Sequence, residues 1–244
     1  NTAVGYNALN AVTTGTENVA VGNSALAATT SCCNVAVGHQ SLENNTTGGS
    51  NIGVGFYALR ANTTGADNIA IGSMAGDAST TSSGFIAIGR NALGAQTTGQ
   101  YNTAIGNNAL KSVTTGTNNT AVGYLALEDN TSSDNTAVGY NAGLNVTTGG
   151  DNTFVGTSAG RGNTTGAKNV AIGYDSMYSN STGGNNTYVG DQSGFNSAGT
   201  YNVGIGHRAL RSGSSSGASY NTAVGVWAGE DITTGTENTF IGFG

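Results

Sequence analysis

The pentad Asn-Thr-Ala-Val-Gly at residues 1–5 returns along the chain at intervals close to 17 residues. A short unit repeated at a fixed spacing cannot bury its own apolar side chains, so it must stack on copies of itself. The sequence therefore predicts an all-β repeat solenoid over residues 1–244, with fourteen full repeats and a partial fifteenth. The repeats start at Asn1, Asn18, Asn34, Asn51, Asn68, Phe85, Asn102, Asn119, Asn135, Asn152, Asn169, Asn186, Asn202, Asn221 and Asn238.

The first five register positions, numbered from the leading residue of each repeat, have a strand pattern. Position 2 is Thr, Val or Ile and position 4 is Val or Ile in all fifteen copies. Two β-branched residues spaced two apart share one face of a strand, and we expect that face to be the buried core. Position 3 is Ala or Gly in twelve copies, so positions 3 and 5 predict a second, flat face suited to contact with another chain.

The leading Asn and the fifth-position Gly are the most regular residues of the repeat. Stacked coils would pile the Asn amides into a hydrogen-bonded ladder, which predicts a structural role for them. A Gly in every coil indicates either a positive φ or a closely approaching backbone. Position 9 is Leu or Met nine times and Gly five times. This indicates an apolar column in which some coils supply a side chain and others leave the space to be filled by a neighbouring coil. The predicted structural residues include Asn1, Gly5, Asn18, Gly22, Asn119, Gly123, Asn221 and Gly225.

Charge and composition argue against several classes of function. The net charge is −6 and the seven basic residues are scattered, so we expect no nucleic-acid partner. No run of 18 apolar residues exists to span a membrane. Only His39 and His207 could serve as histidine ligands or bases, and they lie ten repeats apart. We expect no enzyme activity, no cofactor and no metal site.

Two parts of the chain depart from the regular repeat. The longest repeat, which starts at Asn202, carries extra Ser and Gly residues, and these predict a flexible corner loop at 212–219. Cys32 and Cys33 are adjacent, and because a bridge between sequence neighbours is strained, they predict free thiols or cross-chain bonds. The chain also begins and ends in register, which we interpret as a segment of a longer fibre.

Positions 6 and 7 vary and hold bulky aromatic residues. Residues of this kind on a rigid scaffold contact sugars and protein surfaces, although ordinary surface variation would give the same pattern. The candidate surface-binding residues are Tyr6, Phe56, Tyr57, Tyr124, Tyr140, Tyr174 and Trp227.

The repeat unit, as in Asn1-Thr-Ala-Val-Gly-Tyr-Asn-Ala and Asn169-Val-Ala-Ile-Gly-Tyr-Asp-Ser, resembles the head repeats of trimeric autotransporter adhesins and similar repeats of phage tail fibres. The resemblance covers the whole chain. It implies a left-handed parallel β-roll with two short strands per coil, three chains side by side, and binding to host matrix or receptors. The inserted Thr-Thr-Gly corner lengthens the coil to about 17 residues. A three-sided left-handed β-helix is the alternative fold, because Val4-Gly5-Tyr6-Asn7-Ala8-Leu9 fits its hexapeptide.

These observations favour a structural fibre or filament shaft with an adhesive role, on a cell surface or virion outside the cell. The expected partners are further copies of the chain, as a homotrimer or an end-to-end filament, and a glycan or host-surface protein. A thin core also favours a trimer. The alternative is an ice-binding solenoid, suggested by the Thr-Thr pairs such as 63–64 and 97–98. Because adjacent strand residues face opposite ways, each pair offers only one outward Thr, which argues against ice.

Overall fold

The computed structural model describes residues 1–212 and 217–244. The chain forms two compact units, Asn1–Asn119 and Thr120–Gly244. Within the described residues each unit is built from three-residue strands joined by turns, and neither contains a helix. The predicted all-β fold is therefore confirmed.

Each repeat contributes one strand, which starts directly after the leading residue. The strands of the first unit are β1 (Thr2–Val4), β2 (Val19–Val21), β3 (Val35–Val37), β4 (Ile52–Val54), β5 (Ile69–Ile71), β6 (Ile86–Ile88) and β7 (Thr103–Ile105). The strands of the second unit are β8 (Thr120–Val122), β9 (Thr136–Val138), β10 (Thr153–Val155), β11 (Val170–Ile172), β12 (Thr187–Val189), β13 (Val203–Ile205), β14 (Thr222–Val224) and β15 (Thr239–Ile241).

Consecutive strands within each unit are parallel and in register. Ala3 pairs with Ala20 in the first unit, and Phe154 pairs with Ala171 in the second, so equal register positions stack on one another. One turn of the solenoid takes about 17 residues, as the spacing of the repeats predicts.

The side of the strand that faces the interior differs from our expectation. The third-position residues, such as Ala20 and Ala70, are fully buried, whereas the second and fourth positions lie outside and are half-buried or exposed. The prediction that positions 2 and 4 form the core is therefore wrong, as is the prediction that position 3 faces another chain. The interior is too thin for two β-branched columns. A Cβ at Gly53 would lie only 3.2 Å from Cγ of Leu42, which comes from the opposite side of the coil.

Buried Asn side chains connect the coils, as predicted. The backbone N–H of Asn18 donates to Oδ1 of Asn1 at 2.9 Å, and the side-chain amide of Asn18 donates to the carbonyl of Ser31 at 2.8 Å. In the second unit Asn221 donates in the same two ways, to Asn202 at 3.0 Å and to Gly235 at 2.9 Å. Each amide thus fixes its own corner and supports the next coil.

The fifth-position Gly is required for both reasons that the sequence indicates. Gly5, Gly22, Gly123 and Gly225 have φ values between +133° and +142°. A Cβ on any of them would collide with the carbonyl oxygen of the equivalent Gly one coil further on. Any side chain at this position would therefore separate the coils.

The side of the coil opposite the strand consists of turns and not of the second strand that the resemblance implies. Backbone hydrogen bonds still join coils here, since the N–H of Leu26 donates to Ser41 at 2.9 Å and that of Thr30 donates to Thr46 at 2.8 Å. Positions 7 and 9 interrupt the extended conformation, because residues such as Asn7 and Leu9 are left-handed, with φ of 55° and 53°. Packing of the ninth-position Leu inside the coil offsets that conformational strain.

Where position 9 is Gly, a large residue from the strand side fills the space. Phe154 occupies position 3 and its ring lies against Gly160 and Gly143, while the ring of Tyr188 lies against Gly194. Both aromatic residues are fully buried. The exchange of sizes between the two columns keeps the interior filled, as the alternation of Leu and Gly predicts.

Half of the predicted corner loop at 212–219, residues 213–216, lies outside the described part of the chain. Ser212 is buried, and its hydroxyl donates to the carbonyl of Asn196 at 3.0 Å. The flexibility of this loop stays a prediction.

Candidate functional site

Two columns of β-branched side chains form the outer surface of the strands in each unit, and we call positions 2 and 4 the outer strand face. Fourth-position residues are exposed in ten of the fifteen strands, for example Ile71 at 40% and Ile105 at 38%, and half-buried in the other five. In β2 to β6 both columns are entirely Val or Ile, whereas Thr takes position 2 in most strands of the second unit. Monomeric proteins rarely expose regular apolar surface of this kind.

The geometry of the outer strand face follows from the parallel register. Neighbouring strands in a sheet lie about 4.8 Å apart, and residues two apart along a strand point to the same side. Equal positions pair in every described strand pair, as Val35 with Ile52 and Val37 with Val54. The result within each unit is a regular lattice of branched side chains, suited to packing against an equally regular surface.

The candidate aromatic residues lie beyond the fifth-position Gly, and the structure gathers only some of them. Tyr6 is the most exposed, at 73%, and has no aromatic neighbour among the described ring contacts. Phe56, Tyr124, Tyr140 and Tyr174 are also exposed. Tyr57 and Trp227 are half-buried. Their role in binding stays a prediction.

Three of the rings in the first unit form an aromatic cluster made of His39, Phe56 and Tyr57. His39 stacks on Phe56 with ring centroids 5.4 Å apart, and Phe56 stacks on Tyr57 at 3.8 Å. The guanidinium of Arg60 lies over the Tyr57 ring at 4.3 Å and pairs with Asp77, with Nε 3.3 Å from Oδ1. The cluster is therefore fixed by a cation–π contact that an ion pair holds in place.

In the second unit, Tyr124 and Tyr140 stack in adjacent coils with ring centroids 5.6 Å apart and planes inclined by 11°. Because each ring covers one face of the other, only the outer faces and the edges of the pair can contact a ligand. Tyr174 lies two coils beyond Tyr140, with Thr157 at the intervening sixth position. Burial raises the pKa of the neighbouring Asp175 carboxyl, while a hydrogen bond from Tyr174 acts in the opposite direction.

Trp227 is the candidate that the structure supports least as a contact residue. Its ring is half-buried between Phe243, at 4.9 Å, and His207, at 6.3 Å. Its indole N–H is buried without a hydrogen-bond partner.

Two further aromatic columns lie outside positions 6 and 7. Tyr201 and Tyr220, at the last position of their repeats, are more than half exposed and stack at 5.1 Å. At position 10, Tyr178 stacks on Phe195 at 4.9 Å, with Arg161 and Arg211 over the two outer ring faces. Alignment of the repeats would have revealed both pairs, because stacked coils bring equal positions together.

The two cysteines are exposed free thiols, with their sulfur atoms 2.9 Å apart. A hydrogen bond with Cys32, desolvation and the carboxylate of Glu17 raise the pKa of Cys33 to about 11. The Cys33 sulfur is therefore protonated at neutral pH, which makes it a slow nucleophile.

Within residues 1–212 and 217–244 no group of three or more His, Cys, Asp or Glu side chains could hold a metal ion. The same residues contain no helix of the length and apolarity needed to cross a bilayer.

Comparison with known proteins found neither a protein-family model nor a curated protein that matches the chain. The likeness to adhesin-head and tail-fibre repeats therefore rests on the repeat unit and on the parallel solenoid itself.

Proposed function

We propose that this chain is a structural segment of a fibre or filament shaft in which copies of the chain pack side by side through the outer strand face. The fibre lies outside the cell, on a cell surface or virion, and the chain has no catalytic role. The exposed aromatic residues add adhesion to a glycan or host-surface protein. A rigid parallel solenoid with few charged residues supports the structural role.

The observation that carries the proposal is the exposure of the outer strand face. Val and Ile occupy every position of this face from Val19 to Ile88. Burying such side chains contributes about 25 cal/mol per Å² of apolar surface, and the regular columns of one chain fit between those of a second copy. The contact that we expected at position 3 is thereby reassigned to positions 2 and 4.

A homotrimer is the assembly we favour, since three chains with their outer strand faces turned to a common axis would cover all three faces in a closed arrangement. The resemblance to trimeric adhesin heads supports this stoichiometry. The aromatic residues of position 6 lie past the fifth-position corner, so an axial contact through the strands leaves them accessible.

Sedimentation of the full chain at micromolar concentration tests the assembly. We expect a trimer for the wild type, and a monomer for the combined substitution Ile71→Lys and Ile105→Lys, because each ammonium would be buried without a partner. Thr98→Lys is the matched control, since Thr98 is exposed on the Thr-Thr-Gly corner away from the strands. A monomeric wild type, or a Lys variant that associates as the control does, would contradict the proposal.

A glycan array and a matrix-protein panel test the adhesive role. We expect binding to fall when Tyr6, Phe56, Tyr124 and Tyr140 are all replaced by Ala, while circular dichroism and sedimentation stay unchanged. Repeated weak contacts along the fibre would add through avidity, so the loss should exceed that of any single substitution. Unchanged binding by the combined variant would exclude these residues as the contact surface.

Ice binding is the second candidate, and the outer strand face is the observation that favours it. A regular, two-column array of Thr, Val and Ile presents the repeated spacing that ordered water can match, which the Thr-Thr corner does not. The two functions need opposite states, because a face packed in a trimer cannot contact ice. A monomer that slows ice growth, and loses this effect with Ile71→Lys and Ile105→Lys, would favour ice binding over the fibre.

A further inference from the structure

A notch interrupts the surface of the first unit where position 10 lacks a side chain. Position 10 is Asp77 in one coil, Gly94 in the next and Lys111 in the one after. The missing side chain leaves a cavity of about 430 Å³, within the range of about 300–1,000 Å³ for small-molecule sites. We call this cavity the Gly94 notch; Met74, Asp77, Asn91, Gly94, Ala95, Lys111 and Ser112 line it.

The lining of the Gly94 notch is mixed in polarity. Met74 and Ala95 supply apolar surface, while Asn91 and Ser112 supply an amide and a hydroxyl. These four side chains are half-buried and belong to three stacked coils. The N–H of Ala95 donates to Lys111 in the next coil at 3.0 Å, and the N–H of Gly94 donates to Asn91 within its own turn at 3.1 Å. The notch is therefore formed before any ligand arrives.

Asp77 at one end of the notch is a half-buried acceptor. Its carboxylate is paired with Arg60 on the side away from Gly94, where Nε lies 3.3 Å from Oδ1. Burial raises the pKa of Asp77 and the Arg60 charge partly counteracts that effect. Oδ1 is buried against Arg60, so a hydroxyl donor in the notch would bond to the second carboxylate oxygen of Asp77.

We propose that the Gly94 notch binds one pyranose ring of a saccharide. The C–H face of such a ring fits the apolar surface of Met74 and Ala95, and its peripheral hydroxyls reach Asp77, Asn91 and Ser112. This inference deepens the adhesive part of the proposed function and rests on it. A hydrocarbon chain would cover Asp77 and Lys111 without giving either a hydrogen bond, so it fits this lining poorly.

The notch also adjoins the aromatic cluster. Arg60 contacts the Tyr57 ring and Asp77 at once, so cluster and notch are two ends of one connected surface in the first unit. A second sugar ring, linked to the one in the notch, would lie next to Arg60 and Tyr57. The ligand is therefore an oligosaccharide, with the terminal or internal pyranose in the notch as its anchor.

Titration of the full chain with methyl pyranosides, followed by NMR, tests the inference. The probes are neutral, N-acetylated and uronic acid glycosides. We expect millimolar binding of at least one of them, weakened at least tenfold by Gly94→Leu, which fills the notch with the residue that Leu144 places at position 10 of another coil. Ala27→Leu, at position 10 of a coil remote from the notch, is the matched control and should change binding less than twofold.

Asp77→Asn separates the role of charge from that of shape, because it preserves the size of the side chain. We expect it to weaken binding at least threefold. Absence of binding by every pyranoside, or equal binding by Gly94→Leu and Ala27→Leu, would overturn the inference. The glycan array distinguishes the inference from the adhesive role on which it rests: glycan binding by the wild type that Gly94→Leu retains refutes only the notch, whereas a wild type that binds no glycan and no matrix protein refutes both.

Discussion

Inside the coil, a Gly at position 9 is compensated by a large side chain from the strand side. Phe85 and Gly76 form such a pair and give the sharpest quantitative test of the fold. Phe85 replaces the leading Asn of its repeat and is fully buried. Its ring fills the space that a ninth-position Leu would take in the preceding coil. A Cβ built on Gly76 would lie 2.9 Å from Cζ and 3.0 Å from Cε2 of that ring.

Each single substitution should therefore destabilise the first unit. Phe85→Asn removes the ring and leaves a cavity, which costs about 3–5 kcal/mol for comparable truncations, less about 1 kcal/mol for the amide hydrogen bonds that return. Gly76→Leu places a side chain against the ring, and overpacking of this kind costs about 1–3 kcal/mol. The backbone itself accepts Leu, because Gly76 has φ of 57° and Leu59 at the same position has 53°.

The double variant should recover most of the lost stability, since it recreates the pair of residues that other coils use. We expect a coupling energy of at least about 2 kcal/mol, well above the ~0.5 kcal/mol scatter of independent sites. Urea unfolding followed by circular dichroism measures the global effect, and hydrogen exchange at the Ile69 amide, which donates to the Phe85 carbonyl, measures the local one. Additive single effects would refute the proposed exchange of sizes.

Three further predictions concern the repeat residues and the thiols. Asn169→Ala should lower the free energy of unfolding by about 1–3 kcal/mol in urea denaturation, because it leaves buried donors without an acceptor; an unchanged midpoint would contradict the ladder. Gly139→Ala should be at least as costly, because φ is +143° and the next coil blocks the new Cβ, whereas Gly217→Ala, with no atom within 4 Å, should be neutral in the same assay. Alkylation of Cys33 in a Cys32→Ala background should be faster at neutral pH than in the wild type, because the hydrogen bond to Cys32 is the largest cause of its pKa of about 11; equal rates would contradict that cause.

The sequence alone was sufficient to predict the solenoid because each regular position has one physical reason. A fixed spacing demands stacked coils, and stacked coils place every leading Asn above the next, so the hydrogen bond from Asn119 to Oδ1 of Asn102 at 2.9 Å follows directly. The fifth-position Gly is required by the same stacking. These features depend only on the translation from coil to coil, which the repeat specifies.

The inward side of the strand could not be predicted from periodicity. A period of two residues places Val19 and Val21 on one face of the strand and Ala20 on the other. It does not determine which face is inside. Hydrophobicity favours the Val face, and the structure has the opposite arrangement because the turns bring ninth-position side chains such as Leu42 close to position 3 of the strands, as at Gly53. Only a small residue fits between them. The thickness of the interior is a tertiary property that no single repeat contains.

The aromatic pairs were predictable in principle, whereas their contacts were not. Tyr124 and Tyr140 share position 6 of adjacent repeats, and that alone places them one coil apart. Whether the rings stack on each other or turn toward solvent depends on rotamers, which the repeat does not determine. The pair formed by Tyr201 and Tyr220 was missed because we looked for binding aromatic residues only at positions 6 and 7.

Departures from the repeat locate the candidate binding surface better than the repeat itself does. The consensus residues have structural roles: Asn forms the hydrogen-bonded ladder, Gly permits the close approach of coils, and Ala and Leu fill the interior. Position 10 carries a side chain in every full repeat except one, and that exception, Gly94, is where the cavity forms. A gap in an otherwise occupied column is visible in the aligned sequence, although the polarity of its lining depends on which positions stack beside it. In a solenoid, a register position that lacks a side chain in one coil therefore predicts a notch. The notch extends over that coil, and residues of the two adjacent coils form its walls.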